Sequence, residues 1–279
     1  MPNQTKLSIA IVSWNTKDLL HKCLESITSA VDNISYEVIV VDNASYDGSA
    51  QMVSSNYPDV LLIENENNLG FAKANNQAFS VSTGEYFMLL NSDTICLQNS
   101  LSKLTKFMDL HTEIGVCGPL VLNEDKTLQY SWAAFPTISS EISGRLNRRI
   151  DSIQDIPMSA EAVKLVGAFR TDWVGGCAFV ARRNAIDKVG LLDEKIFMYS
   201  EETDWCKRFK DAGFEIWIYP QSEIIHLGGK SSDQAPKFAQ QALSSSKIYY
   251  FKKHHGFAAA IILVLIYTLK TFIRNLRGK

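Results

Sequence analysis

Acidic residues are missing from the end of the chain. No Asp or Glu follows Asp233, whereas Lys237, Lys247, Lys252, Lys253, Lys270, Arg274, Arg277 and Lys279 all do. The formal charge of −2 over 279 residues therefore hides a body at −10 and a tail at +8. Nucleic-acid proteins carry their positive charge on the folded surface that meets phosphate. An acidic body argues against that class, and the basic tail reads as a membrane-surface feature. Cysteine is sparse and unpatterned: Cys23, Cys96, Cys117, Cys177 and Cys206 contain no C-x-x-C pair. This disfavours a disulfide scaffold or a zinc ribbon and reads as buried free thiols in a reducing compartment. A long apolar span is also lacking. Phe257 to Tyr267 is eleven residues, against about 20 for a comfortable crossing. Extending the run through "TLKTFIRNL" would oblige Lys270 and Arg274 to snorkel. An interfacial helix with basic flanks is expected there in preference to a span. "MPNQTKLSIAIVSW" has no basic segment followed by an apolar run and a cleavage site, and reads as a first strand. No internal repeat or low-complexity segment is present.

The chain is 46% hydrophobic, enough for one large core or two modest ones. Its first third alternates two periodicities. "LSIAIVSW", "YEVIVVD", "VLLIENE" and "YFMLLNSD" are short apolar runs. Lys17 to Val31, a stretch starting near Asp47 and closing before Pro58, and Phe71 to Val81 carry helical spacing. Uniformly apolar strands separated by single helices predict a parallel sheet covered on both faces. Ligands bind such sheets at the carboxyl ends of the strands. Asn15 and Thr16, Asp42 and Asn43, and Asn91 and Asp93 fall there. Leu128 to Ala160, with Trp132, Phe135, Pro136 and "RLNRR", reads as a long, partly mobile insertion. "DWVGGCAFVARR" reads as a strand interrupted at Gly175-Gly176, and "EETDWCKRFKDAGF" as a helix closed by Gly213. "EIWIYP" and "IIHLGGKS" read as two further strands.

Four sites carry candidate chemistry. In Asn91-Ser92-Asp93, a carboxylate and an amide at a strand end can hold a hard cation through oxygen or can cap a helix. Asp42 can accept from a base or ribose, or form an Asx-turn. Glu201, Glu202 and Asp204 crowd a predicted helix N-terminus. Mutual repulsion there tends to raise a pKa, which suits a general base. An acidic, solvated first turn is the alternative. His226 ends an apolar strand and suits a metal ligand or a satisfied turn residue. His21, His111, His254 and His255 read as surface residues, and the pair in "KKHHG" has no partner at metal-ligand spacing.

In order and context these stretches resemble the family 2 glycosyltransferases, over about Leu7 to Ser232. The landmarks are "IVSWNTKDLLHKCLESI", "VIVVDNASYDGS", "ENENNLGFAKANNQA", "LLNSDT", "GVCGPLVLNED", "DWVGGCAFVARR", "GLLDEKIFMYSEETDWCKRFKDAG" and "IIHLGGKS". Within the family the set is most similar to bacterial rhamnosyltransferases that use dTDP-L-rhamnose. The resemblance implies a GT-A, Rossmann-like α/β fold. Its central sheet is mostly parallel with helices on both faces, followed by an amphipathic or apolar helical tail. The implied division is a glycosyltransferase domain over 1–235, with a nucleotide-binding half to about 125 and an acceptor half from about 126. The tail covers 236–279.

The resemblance also implies roles. Asp93 matches the last acid of the family's Asp-x-Asp motif, which holds Mg2+ or Mn2+ against the donor diphosphate. Asn91 replaces the first acid. Asp42, followed by Asn43, matches the contact to the nucleotide base, and Ser13 to Thr16, including Asn15, match the loop bordering it. Asn68, Gly70, Lys73 and Asn76 lie in the segment closing over the donor. Asn75 stands where many relatives carry Arg, leaving Lys73 as the candidate diphosphate contact. Gly175 and Gly176 match the loop that lets backbone approach the sugar. Glu202 matches the catalytic base, with Asp204 as the alternative and Glu201 as an orienting group. His226 matches an occasional metal ligand, and Trp205 either lines the acceptor pocket or packs.

The implied activity is inverting, metal-dependent transfer, for preference of L-rhamnose, to a saccharide or lipid-linked saccharide in cell-surface polysaccharide synthesis. It would occur in the cytoplasm at the inner face of the membrane, with residues 247–279 touching lipid and no nucleic acid involved. On this view a chain lacking Lys252 to Lys279 leaves membranes yet keeps donor hydrolysis. The alternatives are a UDP- or GDP-hexose donor and a non-catalytic sugar-nucleotide or glycan-binding protein. A nucleotidyltransferase is disfavoured because "SWNTKD" replaces its Gly-rich, Arg-containing loop.

Overall fold

The computed structural model describes residues 5–143, 149–150, 153–154, 159–228 and 236–277. The expected alternation is present as β1 (Leu7–Ser13), α1 (Lys17–Ala30), β2 (Tyr36–Asp42), α2 (Ser49–Asn56), β3 (Leu61–Glu64), α3 (Phe71–Val81) and β4 (Tyr86–Asn91). These four strands pair in parallel in the order β3-β2-β1-β4. Strand alternation divides their side chains between two faces. Ile9, Ile11, Val38, Val40, Met88 and Leu90 pack with Leu20, Cys23, Leu24 and Ile27 of α1. Ala10, Ile39, Val41, Phe87 and Leu89 pack with Ala72 and Ala78 of α3. Both faces are dry along β1 and β4, which is why these strands are apolar, whereas Leu61 on the edge strand β3 is exposed. Each buried aliphatic side chain contributes about 1.5–3 kcal/mol. Helix α2 starts two residues beyond Asp47. That carboxylate stays outside the helix and accepts the backbone N–H of Lys17 (2.8 Å) and of Ser49 (3.0 Å).

The rest of the body is β5 (Thr94–Cys96), α4 (Ser100–Leu110), β6 (Ile114–Leu122), β7 (Trp132–Ala133), α5 (Ile138–Ser143), β8 (Arg149–Ile150), β9 (Ile153–Gln154), α6 (Ala160–Val166), β10 (Phe169–Arg170), β11 (Trp173–Val174), β12 (Ala178–Arg182), α7 (Arg183–Val189), α8 (Glu201–Asp211) and β13 (Glu215–His226). The full sheet runs β10-β13-β6-β12-β4-β1-β2-β3, with β5 on β13. It is the expected mostly parallel sheet, with β12 inserted antiparallel between β4 and β6.

Two expectations are corrected. "EIWIYP" and "IIH" form one strand, β13, whose register slips between Tyr219 and Glu223. Pro220 has no N–H to give the ladder, and a bulge absorbs it without ending the strand. The segment expected to be loose enters the core at Trp132 and Ala133. Trp132 is 1% exposed, and β7 pairs with β11. Most of "RLNRR" lies outside the described residues. Cys23, Cys96, Cys117 and Cys206 are buried free thiols as expected, and Cys177 is half-buried.

The tail forms α9 (Pro236–His255) and α10 (Phe257–Arg277). Tyr250, Phe251 and Leu263 make a small core against Ile138 of α5. Glu141 of α5 accepts from Lys247 Nζ (2.8 Å) and Tyr267 Oη (2.9 Å), and its carbonyl accepts from Lys270 Nζ (2.5 Å). Part of the tail's positive charge is thus paired with the acidic body, where the sequence pointed only to lipid. Among the described residues no helix is long and apolar enough to cross a membrane. On α10, Phe257, Ile261, Leu265, Leu269 and Phe272 are 46–68% exposed, and their spacing puts them on one stripe.

Candidate functional site

Parallel register brings the polar strand ends together. Ser13 at the end of β1 sits beside Asp42 at the end of β2, and Val12 beside Asn91 at the end of β4. Ser13 Oγ and Thr16 Oγ1 lie 3.0 Å apart, and Thr16 Oγ1 donates to Ser92 Oγ (2.9 Å). This hydroxyl chain pins the β4 turn from beneath. Asn15 N–H donates to Ser45 Oγ (2.9 Å), and Asn15 Oδ1 accepts from Tyr46 N–H (2.9 Å), joining the loops after β1 and β2. Asp42 is buried. Its Oδ2 accepts from Ser45 N–H (2.8 Å), while Oδ1 has no partner among the described residues. A buried carboxylate oxygen left unpaired is costly unless a ligand satisfies it. Gly70, at φ +83°, packs against the loop before α8, and an added Cβ would lie 2.6 Å from Phe197 O.

Antiparallel pairing of β5 with β13 sets His226 opposite Thr94, next to the Asn-Ser-Asp turn. His226 Nε2 is 3.1 Å from Asp93 Oδ1 and 3.3 Å from Asn91 Nδ2. On the other side of the ring, Nδ1 is 2.6 Å from Gln129 Oε1. That oxygen only accepts, so Nδ1 donates to it, and the other ring nitrogen faces the Asp93 carboxylate and the Asn91 amide. Gln129 Nε2 also donates to His226 O (3.1 Å) and Asn123 Oδ1 (2.8 Å). Among the described residues no three His, Cys, Asp or Glu side chains form a metal-ligand cluster.

The three carboxylates in the first turn of α8 have different fates. Glu201 is 5% exposed, and its Oε2 has no partner among the described residues. Burial, then the charge of Glu202, pushes it well above the carboxylate range. Burial raises Glu202 to about 7 against the opposing pull of the Glu202 and Thr203 backbone N–H groups. Asp204 goes the other way. Burial alone would raise it, but hydrogen bonds from His254 and Lys253 and the charge of Arg208 hold it down at about 2.

A cavity of about 810 Å³ lies between these groups. Of the residues singled out in the sequence, Asn43, Asn68, Gly70, Asn91, Ser92, Asp93, Gly175, Gly176, Glu201, Glu202 and His226 line it. Ser13, Asn15, Thr16 and Asp42 stand outside that lining, in the strand-end hydrogen bonds described above. Three others lie elsewhere. Lys73 is exposed on α3. Asn76 bonds Leu192 O and N (3.0 and 3.1 Å) and Glu194. Asp204 is fully buried away from the cavity. Trp205 packs: it stacks on Phe179 at 5.3 Å and donates its indole N–H to Gly190 O (2.8 Å). The sequence reading missed Gln129, Tyr130, Ser131, Phe197, Tyr199 and Phe238 in the lining. The first three fall in Leu128 to Ala160, where the sequence predicts an insertion. Phe238 belongs to the tail.

The sequence profile described as Glycosyl transferase family 2 matches residues 8–170. An N-acetylglucosaminyl-diphospho-decaprenol L-rhamnosyltransferase of Mycobacterium tuberculosis is 25% identical over 245 residues, 82% of this chain and 78% of the relative. Rhamnosyltransferase WbbL of Escherichia coli is 26% identical over 227 residues, 78% of this chain and 82% of the relative. Among solved structures, a mannosyltransferase from Pyrobaculum calidifontis in complex with GDP-Man and Mn2+ superposes with TM-score 0.59 at 15% identity. The match covers 90% of this chain and 64% of that one. GalNAc-T7 with UDP, GalNAc and Mn2+ gives TM-score 0.64 at 17% identity, over 90% of this chain and 50% of that one.

Proposed function

The chain belongs to glycosyl transferase family 2, and from that premise we propose that it moves L-rhamnose from dTDP-L-rhamnose to a saccharide or lipid-linked saccharide acceptor. The carrying observation is that Asp93, His226 and Glu202 line one cavity at the carboxyl ends of the strands. In this reading the nucleotide lies over the β1 and β2 loops, where the unpaired Asp42 Oδ1 accepts from the base or ribose. Asn68 and Gly70 border it. Gly175 and Gly176 let backbone approach the sugar.

The donor set suits a small hard cation. Asp93 offers oxygen, and the ring of His226, fixed by Gln129, offers Nε2. With no third His, Cys, Asp or Glu ligand among the described residues, water and donor phosphate oxygens would complete the shell, as Mg2+ and Mn2+ readily accept. When bound, the cation neutralises charge developing on the leaving diphosphate.

Glu202 acts on the acceptor. Its carboxylate takes the proton of the acceptor hydroxyl as that oxygen bonds to the anomeric carbon. The bond from that carbon to the diphosphate breaks on the opposite face, so configuration inverts. One base suffices, because no covalent intermediate forms.

The rhamnosyl donor is supported by the two rhamnosyltransferase relatives. A lipid-linked acceptor in cell-surface polysaccharide synthesis is supported by the decaprenol-linked acceptor in the name of the first. The exposed apolar stripe of α10 supports peripheral contact with the inner face of the membrane. Residues 1–235 are the proposed glycosyltransferase domain and 236–279 the tail. The test is release of nucleoside diphosphate from dTDP-rhamnose, UDP-sugars and GDP-sugars in Mn2+, by wild type and Glu202→Gln. Turnover of dTDP-rhamnose that is lost in the variant supports the reading. Turnover of a UDP- or GDP-hexose instead replaces the donor, and turnover of none refutes catalysis.

A further inference from the structure

Helix α9 brackets the turn that carries Glu201 and Glu202. Ahead of the turn, Ser246 Oγ donates to Met198 O (2.8 Å), and Tyr249 Oη and Lys253 Nζ donate to Asp193 Oδ2 (3.0 and 2.7 Å). Behind it, Lys253 Nζ and His254 Nε2 each lie 2.7 Å from Asp204 Oδ1. The other oxygen of Asp204 takes Arg208 Nε at 3.0 Å, and Arg208 also donates to Val189 O and Leu191 O (2.8 and 2.7 Å). Between these anchors, Tyr199 and Ser200 both have φ +68°. Two consecutive left-handed residues without glycine persist only where their surroundings hold them. At its other end α9 sends Phe238 against Phe197, ring centroids 5.3 Å apart, and both rings line the cavity. Positions 238, 246, 249 and 253 share one helix face.

His254 is therefore no surface histidine: its side chain is 10% exposed. Lys253 bridges two carboxylates of the body. We infer that Lys253 and His254 are positioning residues for catalysis, whose clasp on Asp204 fixes the first turn of α8 so that Glu202 meets the acceptor. Helix α9 is then a wall of the active site, and a chain cut before Lys252 loses turnover along with any membrane contact.

The inference rests on Glu202 being the base, and the test separates the two claims. In the full chain with Mn2+, dTDP-L-rhamnose turnover with water as acceptor is measured for wild type, Lys253→Ala with His254→Ala, Lys253→Arg, His254→Gln and Glu202→Gln. Calorimetry gives the affinity for dTDP, and thermal melting reports folding. The clasp predicts that kcat of the double alanine variant falls about tenfold to a hundredfold, the scale of an ångström's misplacement. KM and dTDP affinity stay within about twofold, because the donor side is untouched. Lys253→Arg and His254→Gln, which keep donors facing Asp204, retain most of kcat. A folded double variant with wild-type kcat and only a lower melting temperature overturns the inference. If the double variant does not fold, the two conservative variants decide: kcat lost in both overturns it, and kcat kept in both supports it. Wild-type turnover by Glu202→Gln would overturn the base itself.

Discussion

Turnover should follow the ionisation of Glu202. Burial holds this carboxyl near 7, whereas a solvated glutamate titrates at about 4.3. A general base works only when deprotonated. About half of the enzyme is then competent at pH 7, about a tenth at pH 6 and about a hundredth at pH 5. Log kcat should rise with unit slope below pH 7 and level above it. An ordinary glutamate would give a flat profile over that range. Stability runs in the opposite sense. A folded-state pKa above the unfolded value means that the native protein holds the proton more tightly. The stabilisation is full below about 4.5 and is lost as pH rises through 7. Glu202→Gln should therefore gain stability over wild type from pH 6 to pH 8 while losing about 10²–10⁴ in kcat. Burial, and not the charge of Glu201, raises Glu202, so Glu201→Gln should leave the midpoint close to 7. The assay is donor turnover in overlapping buffers with saturating Mn2+, paired with urea unfolding at each pH. A flat wild-type profile from pH 5.5 to 8 would refute the reasoning, as would equal stability of wild type and Glu202→Gln at pH 6 and pH 8.

Asp204→Asn should cost about 1.5–3 kcal/mol, because it removes charged hydrogen bonds at a buried carboxylate while Lys253 keeps Asp193, and should lower Tm by roughly 5 °C. With the folded pKa at about 2 against 3.8 unfolded, the carboxylate's contribution is full above pH 4. It falls by about half at pH 3, so urea unfolding of the two proteins should converge with acid. Gly70→Ala should destabilise by more than the roughly 1–3 kcal/mol of its backbone conformation, since its Cβ would also meet Phe197 O; calorimetric melting checks this. Leu265→Glu with Phe272→Glu should weaken sedimentation with anionic phospholipid vesicles by about a hundredfold or more, given about 1.5–3 kcal/mol per buried side chain. Donor turnover in solution should persist in that variant.

The strand ends were legible because parallel pairing leaves little choice. Once β1, β2 and β4 are adjacent, Ser13, Asp42 and Asn91 must meet. The helix carrying Glu201 and Glu202 was legible from its capping chemistry and spacing. Contacts across long sequence separations were not. Gln129 holds His226 from 97 residues away, and nothing local in "LQYSW" announces a partner for a histidine. Asp204 read as a third acid beside two others, and only the packing of α9 separates it from them. The basic tail misled in the same way. Charge counting sees Lys247, Lys253 and Lys270 as surface charge, whereas their partners Glu141, Asp193 and Asp204 lie in the body.

The most direct test of the central claim is calorimetric binding of dTDP-L-rhamnose, with UDP- and GDP-sugars beside it, to wild type and Asp93→Ala, with and without Mn2+. The account predicts Mn2+-dependent binding of dTDP-L-rhamnose by wild type and its loss in Asp93→Ala, with the protein still folded. Binding that is indifferent to both Mn2+ and Asp93, or no binding of any nucleotide sugar, would contradict it.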